Sequence, residues 1–143
     1  MSPKRVFADT NLFLRYLTND VPLQADSVEQ LLQQAAAGDV VLVTNSPVIA
    51  EIVWTLGSFY HLKPDDIREK VLAILNTPGI EVVEGELVLQ AISWWVQKNV
   101  DFIDAYNVAW LMAQGLDVIS TFDRKHFSRL EGVKVWTPGE AMP

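Results

Sequence analysis

Apolar positions along the chain follow two alternating patterns. Runs of strand length occur at Val6 to Ala8, Val40 to Val43, Ile80 to Val83, Val118 to Ser120 and Val133 to Trp136, and helical periods fill the intervals. The helical pattern is clearest over Pro22 to Ala37, where Val28, Leu31, Leu32, Ala35 and Ala36 mark one face and Gly38-Asp39 supplies the stop. Asn45 or Ser46 caps the helix after the second strand, with Pro47 favourably placed in its first turn. Pro64-Asp65-Asp66 opens another, with acids near its positive end, and Pro78-Gly79 breaks it after about Asn76. Glu86 to Lys98 and Ile103 to Gln114 are the last long helices, and Gly115 ends the second. Strands alternating with helices predict an α/β fold, a three-layer sandwich about a central, mostly parallel five-stranded sheet.

The length of 143 residues, half of them hydrophobic, suits one well-cored domain over residues 1–143. No run approaches the roughly 18 apolar residues of a membrane helix, and Met1 to Arg5 leads into a short strand rather than a signal-peptide core, so the chain is expected to be soluble and cytoplasmic. The absence of cysteine excludes disulfides, thiolate metal sites and a cysteine nucleophile. Two histidines, His61 and His126, make a multi-histidine zinc site a poor prospect. A net charge of −7 opposes nonspecific adhesion to nucleic acid, but divalent cations among the acids would invert the local charge.

In a parallel α/β sheet, ligands gather outside the carboxyl ends of the strands. Four carboxylates stand at strand-to-helix junctions or in early helical turns: Asp9, Glu51, Asp104 and Asp123. Asp9 follows the first strand and leads through Thr10-Asn11 into the helical run Leu12 to Leu17; its plainer role is a helix cap. Glu51 falls one turn into its helix among Val48, Ile52, Val53 and Leu56, on or beside a buried face, where a carboxylate needs a cation or several donors. Asp101 and Asp104 have the i, i+3 spacing of a cap and its partner. We assign Asp101 to capping and Asp104, at the leading edge of a small-residue face, to chemistry. Asp123 follows the fourth strand; its plainer role is to cap a short helix containing His126 and Phe127.

Asp9-Thr10-Asn11, the helical Glu51, Asp104 heading Asp-Ala-Tyr-Asn-Val-Ala, and Thr121-Phe122-Asp123 followed by Phe127 resemble, in order, the motif series of PIN-domain nucleases, in particular the VapC-type toxins of toxin–antitoxin pairs. The resemblance implies a PIN-like fold, endonucleolytic cleavage of RNA, a protein antitoxin and a homodimer. Hard oxygen donors without a Cys or His cluster favour Mg²⁺ or Mn²⁺. Asp9 and Asp104 are then the principal ligands, and Glu51 and Asp123 complete the site directly or through water. Asn11 and Thr121 are supporting polar groups, with turn hydrogen bonding as their plainer role. Arg124, Lys125 and Arg129, with His126, form the one dense basic cluster, suited to the RNA backbone or to a solvated surface. His126 is not assigned as a general base.

Two other readings remain at this level. An acidic-pocket phosphatase would call for a second Asp two residues after Asp9, where Asn11 stands. A catalytically silent module would bind RNA or protein with the same fold. Of five tryptophans, Trp94 and Trp95 are adjacent on a helix and cannot both be centred in one core, so one is expected to line a dimer or antitoxin surface; core filling is expected of Trp54, Trp110 and Trp136.

Overall fold

In the computed structural model, which describes residues 2–143, the strands and long helices stand close to where the apolar pattern puts them. The chain forms two units, the first ending at Gly85 and the second spanning Glu86–Pro143.

The first unit runs β1 (Lys4–Phe7), α1 (Thr10–Thr18), α2 (Pro22–Ala36), β2 (Val40–Thr44), α3 (Ser46–Ser58), α4 (Pro64–Leu75) and β3 (Ile80–Val82). Its strands are parallel in the order β1-β2-β3, with Val6 opposite Leu42 and Leu42 opposite Ile80. Leu42, Ile49, Ile52, Leu56 and Val71 are fully buried, which makes β2 and the inner faces of α3 and α4 the apolar centre. Asn45 caps α3 by accepting a hydrogen bond from the Val48 N–H at 3.1 Å, as the sequence predicts. Gly79, at φ +85°, ends the turn into β3; a Cβ there would lie 2.5 Å from the Ala35 backbone, so the close passage past α2 requires glycine.

The junction that carries Asp9 is tied down twice. The Ala8 N–H donates to the Val43 carbonyl at 2.8 Å, and the buried Thr44 hydroxyl donates to the Ala8 carbonyl at 3.0 Å. The backbone just ahead of Asp9 and Thr10 is thereby fixed to the end of β2.

The second unit contains α6 (Phe102–Ala113), β4 (Val118–Ser120), α7 (Arg124–Phe127) and β5 (Lys134–Trp136), preceded by α5 (Gly85–Lys98), whose first residue closes the first unit. Val88, Ala91, Ile92, Val100, Ala105 and Val108 are fully buried along one face of α5, the α5–α6 turn and the small-residue face of α6. β4 and β5 pair in parallel, Ile119 opposite Val135.

The α/β class and the parallel pairing are as expected, with the strands paired inside each unit. The five strands make two ladders, β1-β2-β3 and β4-β5. Within the first unit β1 pairs with β2, and within the second β4 pairs with β5. Three of the tryptophans depart from the expected core filling. Trp54 is 70% exposed and Trp110 is exposed, on the faces of α3 and α6 opposite their buried residues; Trp136 is half-buried, with its indole N–H on the Glu140 carbonyl at 3.2 Å. Trp94 and Trp95 are both half-buried. Among the described residues no helix is long and apolar enough to cross a membrane.

Candidate active site

Asp9 occupies the N-cap position of α1 with an extended backbone, φ −88° and ψ 167°, but its side chain makes no cap hydrogen bond. The carboxylate is exposed and is not consumed by the helix start. The next residue, Thr10, is the first of α1 and only 3% exposed. Its hydroxyl donates to Glu51 Oε2 at 2.8 Å, across from α1 to α3. Asn11 is exposed, one position further along α1.

Glu51 itself is exposed, which corrects the expectation of a carboxylate on or beside a buried face. The neighbours that suggested burial, Ile52 and Val53, are buried, but successive residues on a helix point about 100° apart. Glu51 and Trp54, three residues on, share the outer side of α3. Its hydrogen-bond partner among the described residues, Thr10, is a neutral hydroxyl.

The second unit gathers its acids among charges. Asp101 sits at the N-cap position of α6 without a side-chain cap bond, so the capping role assigned to it is not realised. Asp104, in the first turn of α6, is half-buried; desolvation first, then the fields of Asp101 and Asp123, raise its pKa against a smaller opposing effect of His126. Asp123 is the realised cap: its Oδ1 accepts from the His126 N–H at 3.2 Å, and its Oδ2 lies 2.8 Å from His126 Nδ1. That side-chain hydrogen bond, with smaller contributions from the His126 backbone N–H and the charge of Arg129, holds the Asp123 carboxyl below its ordinary pKa. Thr121 accepts from the Asp123 N–H at 3.0 Å, the plainer turn role.

The basic cluster is largely occupied within the molecule. Arg124 forms an ion pair with Glu140, and Arg129 donates to the Asn99 carbonyl at 2.6 Å. Lys125 is exposed. His126 is engaged by Asp123, a role signalled in the sequence by the i, i+3 spacing across a helix start. Nothing in the sequence around Thr10 marks it as a site residue, because its partner Glu51 is distant in the chain.

The carboxylate oxygens of these acids suit a hard divalent cation, and the charged form of Asp104, disfavoured first by burial and then by Asp101 and Asp123, would be favoured by one. Among the described residues, however, no three Asp, Glu or His side chains stand close enough to form a ready-made metal cage.

These features define an α/β protein with parallel strands and carboxylates at strand ends and in early helical turns. The PIN-domain family model matches residues 6–133, and the chain belongs to that family. A VapC ribonuclease from Aquifex aeolicus (strain VF5) is 26% identical over 132 residues, covering 92% of this chain and 96% of that protein. Two solved structures also align over most of the chain. One is VapBC2 from Rickettsia felis bound to a DNA fragment from its promoter, at 14% identity, TM-score 0.38, and coverage of 93% of this chain and 98% of that one. The other is Mycobacterium tuberculosis VapC20, a sarcin–ricin-loop-cleaving toxin, at 20% identity, TM-score 0.36, and coverage of 85% and 92%.

Proposed function

We propose that the chain acts as a single PIN-like domain and is a divalent-metal-dependent endoribonuclease, the toxin of a toxin–antitoxin pair, with RNA as substrate and a protein antitoxin as partner. The observation that carries this reading is the kinship to a VapC ribonuclease along nearly the full length of both chains. Asp9 and Asp104 are the principal ligands for Mg²⁺ or Mn²⁺, and Glu51 and Asp123 support them. Asp9, exposed and free of a cap bond, has its oxygens available. Asp104, raised by desolvation and like charge, gains most from a cation. When bound, such an ion activates water for attack on a phosphodiester and stabilises charge on the leaving oxygen.

The remaining residues orient and attract. Glu51, held by Thr10, presents one carboxylate oxygen in a fixed place. Asp123, held ionised by His126, keeps its charge. Lys125, exposed on α7, offers a local positive contact to the RNA backbone despite the net charge of −7.

The test is cleavage of RNA by the purified protein with Mg²⁺ or Mn²⁺. Asp9→Asn and Asp104→Asn each lower the rate by more than about 100-fold, beyond the usual cost of losing an outer-shell partner, while circular dichroism is unchanged. Cleavage undiminished in EDTA would overturn the metal mechanism, and no cleavage of any RNA would overturn the enzyme.

A further inference from the structure

We propose that Thr10 is a positioning residue, whose hydroxyl orients the Glu51 carboxylate for cation binding and thereby for RNA cleavage; this rests on the metal-dependent ribonuclease reading. Three observations carry it. Thr10 is one of three buried polar residues among those described, with Thr44 and Ser46. Its hydroxyl has a specific recipient, Glu51 Oε2, at 2.8 Å and on a different helix. The backbone that bears Thr10 is itself anchored, through the Ala8 N–H on Val43 and the Thr44 hydroxyl on the Ala8 carbonyl.

The consequence follows from side-chain freedom. Glutamate reaches its carboxylate through three rotatable bonds, and an exposed Glu51 with no partner would sample many rotamers. A ligand that needs the carboxylate in one place must then restrict those rotamers as it binds. The buried hydroxyl removes most of that freedom in advance and leaves Oε1 without a hydrogen-bond partner among the described residues. A neutral donor suits this role, because a Lys or Arg in place of Thr10 would compete with the cation for the same charge. The helix pair is also tied at its other end, where the Tyr60 hydroxyl, just past α3, donates to Asp20 Oδ2 at 2.5 Å, just past α1. The Tyr60–Asp20 bond is thus a second link between the segments of α1 and α3.

The distinguishing experiment uses the full chain and four variants. Thr10→Val keeps the shape and removes the hydroxyl, Thr10→Ser returns the hydroxyl, Glu51→Gln is made alone, and Thr10→Val is combined with Glu51→Gln. Mn²⁺ affinity is read by electron paramagnetic resonance without RNA, and cleavage is read separately as kcat and KM. Thr10→Val is expected to weaken Mn²⁺ binding about 10- to 100-fold and to lower kcat with little change in KM, and Thr10→Ser to recover both within a few-fold. The double variant is expected to lose no more than Glu51→Gln alone, since Thr10 acts only through Glu51. Unchanged Mn²⁺ affinity in Thr10→Val, a Thr10→Ser as impaired as Thr10→Val, or additive losses in the double variant would each overturn the proposal. Wild-type protein that binds Mn²⁺ but cuts no RNA would overturn the ribonuclease reading while the Mn²⁺ comparison still decides the role of Thr10.

Discussion

In the first unit Glu51 meets a neutral hydroxyl on a neighbouring helix, and the residues that follow it, Ile52 and Val53, are buried in an apolar centre. In the second unit Asp104 and Asp123 stand among charges: Asp101, His126 and Arg129 all act on one or the other. The first arrangement depends on packing and on a hydrogen bond between a hydroxyl and a carboxylate. The second depends on which groups are ionised, so it responds to pH and, where exposed, to salt. Two candidate pairs of ligands are therefore supported by different forces, and perturbations chosen for one should leave the other's signature absent.

The largest expected effect is on the packed side of this contrast. Ile52 is fully buried and adjoins Glu51, so Ile52→Ala removes buried methyl groups and leaves a cavity, at a cost of about 2–5 kcal/mol read as a fall in the urea midpoint. The cost should be the same in low and high salt, because no charge is involved. Trp54→Ala, on the outer side of the same helix, should fall within about 0.5 kcal/mol, as for most surface positions. A cost for Trp54→Ala as large as that for Ile52→Ala would mean that the outer face of α3 is covered.

Much of this was legible before the fold was known. Strand-length apolar runs, Asn45 with Pro47, and the Gly-Asp stop after α2 carry their geometry locally, and they appear in the structure as caps and turns. The order of the strands is less local, because which strand lies beside which is something no single run encodes. The exposure of Glu51 is hidden by its flanking apolar residues, which suggest a buried face, whereas one step along a helix turns a side chain by about 100°. Thr10 escaped because its partner lies 41 residues away. The Asp123–His126 pair was half visible, as a cap spacing without its imidazole contact.

A second comparison sets the two units against each other through their turns, where the expected difference is about 1–2 kcal/mol. Gly79 and Gly115 both have positive φ, +85° and +78°, but a Cβ on Gly79 meets the Ala35 backbone at 2.5 Å while one on Gly115 meets nothing within 4 Å. Gly115→Ala should therefore cost about 1–2 kcal/mol, for backbone conformation alone. Gly79→Ala adds a clash with main chain that cannot rotate away, and it disturbs the Gly79 carbonyl that accepts from the Leu42 N–H at 2.8 Å. Its cost should reach about 3 kcal/mol or more by thermal or urea unfolding. Equal costs would show that α2 yields to β3, and that the first unit is less rigidly packed than its buried centre implies.

The smallest effect sets two carboxylates of the second unit against each other, in EDTA so that no cation contributes. Asp104 has a raised folded pKa, through desolvation and then the charges of Asp101 and Asp123. Between the ordinary aspartate value and that raised value the folded chain binds more protons than the unfolded one, so stability falls as pH rises through that window and the cost persists above it. Asp104→Asn should therefore be slightly more stable than wild type at neutral pH, and the difference should vanish below the ordinary carboxylate range. Asp123 is the opposite case, with its folded pKa lowered first by the His126 side chain. Its stabilisation is present above the ordinary aspartate value and is lost as pH falls through the lowered value, so Asp123→Asn should be slightly less stable at neutral pH and converge with wild type in acid. Both groups are substantially solvated, so each difference should be small and should shrink in high salt. The two unfolding-midpoint differences, plotted against pH, should thus have opposite signs at pH 7 and both approach zero in acid. The same sign for both would mean that Asp104 and Asp123 do not lie in the opposed electrostatic settings described for the second unit.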